Sequence, residues 1–330
     1  ANEPADGAAP LPKNPHAPAQ RREAVGEGPP GQQGGGSGGR SQGGAHVLEE
    51  SSSRKHKLIT FCDELRTHRL TYTSTTIIAT EGAAVSVTTA RKDSNAPRPR
   101  PAAGMLHYQT HGAPHQPPLC FLHGFMGSSA DWQPIVDALS RDAYCLTVDL
   151  PGHGQSLEGP KHLYTMEGAT QALADVLDDA GINRCSLVGY SMGGRVALYF
   201  SLFHPGRVRR LGLESALPGL PSGEERVQRR FLDDERADRI QEDLDAFLED
   251  WYRQPLFASL ARHGLVEEMV ATRRANDPDE LARALRGLSP GEQPSLWDRL
   301  PDLSVPALVL TGELDEKYEA ITKRTAERIE

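Results

Sequence analysis

From about residue 105 onward, the apolar positions of the chain fall into a repeating order. GMLHYQTHG and PLCFLHG read as a hairpin-like pair of strands, AYCLTVDLPGHG as a third strand and RCSLVGYS as a fourth. Between them, DWQPIVDALS and MEGATQALADVLDDAG carry apolar residues at helical spacing. Strands alternating with helices predict an α/β fold, a mainly parallel sheet with helices on both faces. After LGLESALPGL the pattern turns helical and rich in charge, from Glu224 to about Gly287, before SVPALVLTGELDEKY restores a strand. An insertion of that kind, about 218–298, is placed to act as a lid over the C-terminal edge of the sheet, where α/β sheets bind ligands.

Upstream of Met105 this order fails. Residues 1 to about 55 are dominated by Gly, Pro, Ser, Gln and Ala, with runs such as GQQGGGSGGRSQGG. Too few large apolar groups are present to offset the entropy of ordering such a segment, so disorder is expected. Between Leu58 and Thr89 there is β-type alternation, as in RLTYTSTTIIAT, without an assignable fold, and ARKDSNAPRPRPAAG returns to linker composition. The reading is therefore an arm and linker over 1–104 and a folded domain over 105–330. Because Met105 stands immediately before a strand signal, either an internal start there or a linker left from an upstream fusion partner accounts for the arm. Peptides from residues 1–100 in the native protein rule out the first.

A formal net charge of -9 and a pI near 5.8 argue against sequence-independent binding of nucleic acid. No apolar run approaches a membrane span and no secretory signal opens the chain, so a soluble, cytoplasmic protein without membrane insertion is expected. Cys120, Cys145 and Cys185 sit in strand-like apolar runs, where reduced cysteine behaves as a small core residue; neither disulfides nor a zinc site are expected. With no Gly-rich phosphate loop, no H-E-x-x-H and no paired cysteines, neither a metal nor an organic cofactor is called for. Oligomeric state is not legible.

The candidate chemistry centres on LVGYSMGGR, residues 187–195, where Gly-Tyr-Ser-Met-Gly fits the turn that thrusts a nucleophilic serine from a strand into a helix. Such an elbow leaves no room for side chains two positions either side of Ser191, and Gly189 and Gly193 meet that demand. The loop His123-Gly124-Phe125 follows a strand, so Phe125 and Met192 are expected to supply the two N–H groups of an oxyanion hole. His123 reads as a brace of this loop rather than a base, and is counted with the residues bordering substrate; His153, in DLPGHGQS, is likewise a loop residue. Asp315, just after the strand ALVLTG, stands where a Ser-Asp-His order places its acid, with Glu313 and Glu316 as rivals and a solvated acidic turn as the plain alternative. The histidine of that order should follow one more helix and strand, but residues 316–330 contain none. Since AERIE stops inside a helix, the expectation is a C-terminally truncated domain lacking its last strand and helix. A pseudoenzyme that kept its binding surface is the alternative.

On LHGFMGSSADWQPIVDAL, VDLPGHGQS, LVGYSMGGRVALY, FLEDWYRQPLFASL and LTGELDEKY, residues from Met105 to Glu330 resemble the α/β-hydrolase superfamily. Within it they resemble the 2-succinyl-6-hydroxy-2,4-cyclohexadiene-1-carboxylate synthases of menaquinone biosynthesis. The first three stretches are shared widely; GYSMGGR, ERVQRR and DWYRQPLF are more particular. The resemblance implies a lyase that removes a proton from a tricarboxylate and eliminates pyruvate, its serine acting as base through histidine and aspartate. It matches Ser191 to the serine and Asp315 to the acid, Arg195, Arg229 and Arg273 to arginines that bind substrate carboxylates, and Trp251 and Tyr190 to pocket residues. Arg274 adjoins Arg273 and competes with it. Three carboxylates give planar guanidinium groups work that a neutral ester does not. For Arg195 the plain alternative is a surface salt bridge, for Arg229 a solvated helical face, and for Trp251 an apolar core. A serine esterase or carbon–carbon-bond hydrolase on the same scaffold is the rival enzyme, and a binding module for an acidic ligand the rival without chemistry. The chain as printed is expected to be nearly inactive.

Overall fold

The computed structural model describes residues 106–312 and 315–329, together with the backbone of one strand at Ile77–Ala79. The expectation for 1–104 otherwise lies outside the described residues.

Seven described strands form one sheet in the order β1-β7-β6-β5-β3-β4-β2. They are β1 (Ile77–Ala79), β2 (Tyr108–His111), β3 (Pro118–Leu122), β4 (Tyr144–Val148), β5 (Cys185–Tyr190), β6 (Val208–Glu214) and β7 (Ala307–Gly312). All neighbours are parallel except β2, which runs antiparallel to β4. The hairpin-like pairing expected of the first two strands after Met105 does not form, because β4 lies between β2 and β3. The reason is burial: PLCFL is apolar throughout, and a strand covered on both faces belongs between two partners, here β4 and β5, rather than in a hairpin at the edge. At the far edge, β7 is paired with β1, Ile77 opposite Leu310 and Ala79 opposite Gly312. Part of the stretch RLTYTSTTIIAT, unassigned from sequence, thus supplies a β-branched strand to that edge.

Alternation along the central strands decides which helices cover which face. Leu119, Phe121, Cys145 and Val188 pack with Trp132, Val136 and Leu139 around α1 (Gln133–Leu139). The alternate residues Cys120, Leu122, Leu146 and Leu187 pack beneath α2 (Met166–Asp179) and α3 (Met192–Phe203). Every residue of α3 from Met192 to Leu202 is buried, as a helix wedged against the sheet requires. Cys120, Cys145 and Cys185 are free and buried.

Between β6 and β7 lie α4 (Gly223–Glu242), α5 (Leu244–Tyr252), α6 (Ala258–Arg262), α7 (Val266–Arg273) and α8 (Pro278–Gly287). The Ser222 hydroxyl and the Glu225 carboxylate cap the start of α4 reciprocally. These helices share a core of their own, Ala237, Ile240, Phe247, Leu248, Tyr252, Val270, Leu281 and Leu285, into which Met126 inserts from the loop after β3. Helix α9 (Glu316–Ala326) follows β7. No helix among the described residues is long and apolar enough to cross a membrane.

Candidate active site

Ser191 stands alone between the end of β5 and the start of α3, with φ 50° and ψ -109°. A non-glycine residue with positive φ costs on the order of 1–3 kcal/mol and persists only where its surroundings fix it. Here the Ser191 N–H donates to Glu214 O at 2.9 Å on β6, and Arg195 N–H donates to Ser191 O at 3.0 Å. The flanking glycines follow from contact: a Cβ on Gly193 would lie 2.3 Å from Leu122 O, and one on Gly189 would lie 2.4 Å from Gly193 O.

The loop after β3 crosses the serine. A Cβ on Gly124 would sit 3.5 Å from Ser191 Cβ and 2.7 Å from the Tyr190 ring. Phe125 belongs to this loop, and Met192 opens α3, where N–H groups have no intrahelical acceptor. His123 accepts from Leu150 N–H through Nε2 at 2.9 Å and so donates from Nδ1 to Gly124 O at 2.8 Å. Both ring nitrogens are thus engaged by backbone, as a brace of the loop requires, and burial lowers its pKa. His153 repeats the pattern, accepting from Met126 N–H at 3.1 Å and donating to Pro151 O at 3.0 Å. Burial, with the neighbouring His123 as a smaller cause, brings its pKa to about 3. Each ring is a neutral brace, and neither has a nitrogen left to relay a proton.

Asp149 anchors the same region from the end of β4. Burial alone would raise its pKa, but the His107 ring and the N–H groups of Ser129 and Gln155 outweigh that and hold it at about 2. The folded value lies below the unfolded one, 3.8, so the stabilisation is complete above about pH 4 and fades as pH falls through about 2. Asp149→Asn is expected to lower stability at pH 7 by about 2 kcal/mol, the gap from wild type closing near pH 2. Urea unfolding at several pH values checks this, and equal midpoints at pH 7 would count against it.

Arg195 is buried, 7% exposed, which removes the surface-salt-bridge alternative. Its Nη1 donates to Gln293 Oε1 at 2.9 Å and its Nη2 to Leu288 O at 2.6 Å. Burial pulls its pKa down to about 10, so it stays cationic at neutral pH. Arg229 on α4 donates from Nε to Asp233 at 2.8 Å; it is paired with a buried carboxylate rather than lying on a wholly solvated face. Both guanidinium groups act on the phenol of Tyr318, as does Asp315, so α3, α4 and the start of α9 converge electrostatically. Asp315 also caps α9, accepting from Tyr318 N–H at 3.0 Å. Of its rivals, Glu316 is exposed and Glu313 lies outside the described residues.

Arg273 already holds a carboxylate: Nη1 and Nη2 donate to the two oxygens of Asp131 at 2.8 and 2.9 Å. This fork, with Asn276 Nδ2 donating to Met126 O at 3.0 Å, fastens the end of α7 to the loop after β3. The neighbouring Arg274 faces away, toward Asp245 on α5. Trp251 stacks on Phe247, with ring centroids 5.4 Å apart, and meets Phe125 edge-on at 6.3 Å. It joins the core of the inserted helices to the loop over the serine. Tyr190, next to the serine, is 41% exposed.

Asp131, Asp233, Gln293 and Tyr318 escaped the sequence reading. Of these, Asp233 left a signal four residues after Arg229, in a run whose charges were otherwise those of a solvated helix, and Asp131 left one as the acid of a Ser-x-x-Asp helix start.

A serine elbow on a mainly parallel sheet, with a glycine loop crossing it and a helical insertion beside it, defines a class. Residues 117–316 match the alpha/beta hydrolase fold family, and the chain belongs to that family. Within it, the 2-succinyl-6-hydroxy-2,4-cyclohexadiene-1-carboxylate synthase of Pectobacterium atrosepticum is 39% identical over 219 residues, covering 64% of this chain and 84% of that protein. The structure of MenH from S. aureus superposes with a TM-score of 0.64 at 34% identity, covering 68% of this chain and 86% of that one. The enol-lactonase from Burkholderia xenovorans LB400 superposes with a TM-score of 0.57 at 25% identity, covering 68% and 84%.

Proposed function

We propose that the elbow site binds 2-succinyl-5-enolpyruvyl-6-hydroxy-3-cyclohexene-1-carboxylate and promotes loss of pyruvate from it. The observation that carries this reading is that the buried Arg195, one turn past Ser191, is linked through Gln293, Ser289 and Asp233 to Arg229, in a chain whose relative bears the name of the product's synthase. A pocket for neutral esters has no use for two cations there.

The chemistry follows from the two compounds. The ring C2–H lies alpha to the succinyl ketone and is therefore acidic; removing its proton forms the C2=C3 double bond, shifts the C3=C4 double bond to C4=C5 and breaks the C5–O bond. The leaving enolpyruvate takes up a proton as pyruvate. Ser191 is the proposed base, and the N–H groups of Phe125 and Met192 the donors to the enolate oxygen that develops on the ketone. Asp315 is the proposed acid of the relay. Arg195 and Arg229 take carboxylates, with Tyr190 and Trp251 at the margin. Arg273 serves first through Asp131, by holding the loop that carries Phe125.

A serine alone is a weak base. His123 and His153 are both committed to backbone, so neither is free to take the proton of Ser191. Ser191→Ala is expected to lower the rate of pyruvate release roughly 10⁴-fold to 10⁶-fold, as for removal of one member of a triad. The test is pyruvate release from the tricarboxylate, together with calorimetric titration of the dicarboxylate product. Undiminished turnover in Ser191→Ala, or no product binding by the unaltered chain, would contradict the proposal. The likeness to an enol-lactonase keeps ester hydrolysis as the second reading, and p-nitrophenyl acetate as the substrate that separates the two.

A further inference from the structure

Arg195 and Arg229 are not independently placed. Asp233, on α4, is completely buried, and its carboxylate gathers three donors: Arg229 Nε at 2.8 Å, Arg236 Nη1 at 3.0 Å and Ser289 Oγ at 2.7 Å. Leu288 and Ser289 open the strap that follows α8. The Ser289 hydroxyl accepts from Gly291 N–H at 2.9 Å, and its carbonyl accepts from Gln293 N–H at 3.1 Å. The same strap supplies both acceptors of Arg195, Leu288 O and Gln293 Oε1. An unbroken chain of hydrogen bonds therefore runs from Arg229 through Asp233 and Ser289 into the strap on which Arg195 rests.

We infer that Asp233 is the positioning residue of the carboxylate-binding site, holding Arg229 directly and Arg195 through the Leu288–Gln293 strap. The inference rests on the functional reading above and goes beyond it by naming what sets the two guanidinium groups. A buried carboxylate is expensive unless its partners are fixed. Engaging Arg229 through Nε alone also leaves both its terminal amino groups without a partner among the described residues, free for a substrate carboxylate. Gln293 points the same way: Arg195 can only donate, so the Gln293 amide must turn its oxygen to it, and its Nε2 is left buried without a partner. A residue whose one amide group is spent on orienting an arginine, at the cost of an unpaired donor, belongs to a site built around that arginine.

The experiment is a double-mutant cycle read by calorimetric titration of the dicarboxylate product, with unfolding midpoints recorded for every variant. Asp233→Asn keeps the shape and removes the charge, and is expected to raise the dissociation constant about 10-fold or more. In an Arg229→Ala background the same change is expected to add no more than about 3-fold, because the arm it steers directly is gone and only the path through the strap to Arg195 is left. A role confined to stability would lower the midpoint in both backgrounds and leave the dissociation constant unmoved in each. Unchanged affinity in Asp233→Asn, or effects that multiply across the two backgrounds, would overturn the inference. Should Asp233→Asn not fold, Asp233→Glu, which keeps the charge on a longer arm, carries the same cycle. If the unaltered chain fails to bind the product, the functional reading falls and takes this inference with it. If it binds and the cycle shows no coupling, only the inference falls.

Discussion

Arg195→Ala is expected to raise the dissociation constant of the dicarboxylate product by about 100-fold or more while leaving the sheet assembled. Truncating one partner of a buried, charge-assisted pair costs on the order of 2–5 kcal/mol, and about 2.7 kcal/mol corresponds to 100-fold. The geometry supports an effect of that size. Arg195 is buried and cationic at neutral pH, and two of its five N–H donors are spent on Leu288 O and Gln293 Oε1. The remaining donors are those a ligand carboxylate can take. Arg195→Lys keeps the charge but loses the planar fork, and should fall between the two. Were Arg195 only a tie between α3 and the strap, Arg195→Ala would lower the unfolding midpoint and leave the dissociation constant where it was.

Gly193→Val should be the most damaging single change at the elbow. Even the first carbon of a side chain there would lie 2.3 Å from Leu122 O and 2.5 Å from His123 O, both backbone atoms that cannot swing aside. Either the end of β3 or the first turn of α3 must move. Overpacking of that kind costs roughly 3 kcal/mol or more, a loss of about 6–12 °C in unfolding midpoint for a domain this size. The displaced segments carry Phe125 and Met192, so binding should suffer as well. Gly206→Ala is the control: nothing lies within 4 Å of a Cβ there, and no left-handed conformation is at stake. A Gly193→Val protein as stable as Gly206→Ala would mean that the elbow is not packed as described.

The parts of the fold legible in the sequence were those with a short-range cause. Ser191 was found because the elbow needs small residues at 189 and 193, and those are adjacent in sequence. The order of the strands was not legible: PLCFL reads the same in a hairpin as between two parallel partners, and only burial on both faces decides. The strand at Ile77–Ala79 was hidden for a similar reason, since its pairing with β7 spans more than two hundred positions of chain. At the site, the arginines were recognisable by resemblance, but their partners were not. Asp131 meets Arg273 across 142 positions and Gln293 meets Arg195 across 98, separations at which no periodicity survives. His123 was half read: its place in the loop was evident, whereas the commitment of both ring nitrogens required Leu150 to be seen beside it.

The claim that the elbow serves a polycarboxylate rather than a neutral ester is tested most directly by one comparison on the same preparation. The protein is titrated with the dicarboxylate product in a calorimeter and assayed in parallel for turnover of p-nitrophenyl acetate. The account predicts product binding with a dissociation constant in the micromolar range, about -8 kcal/mol, and no Ser191-dependent ester cleavage. Heat-silent titration together with an acyl-enzyme burst that disappears in Ser191→Ala would contradict it, leaving a hydrolase in which Arg195 and Arg229 only hold the inserted helices to the sheet.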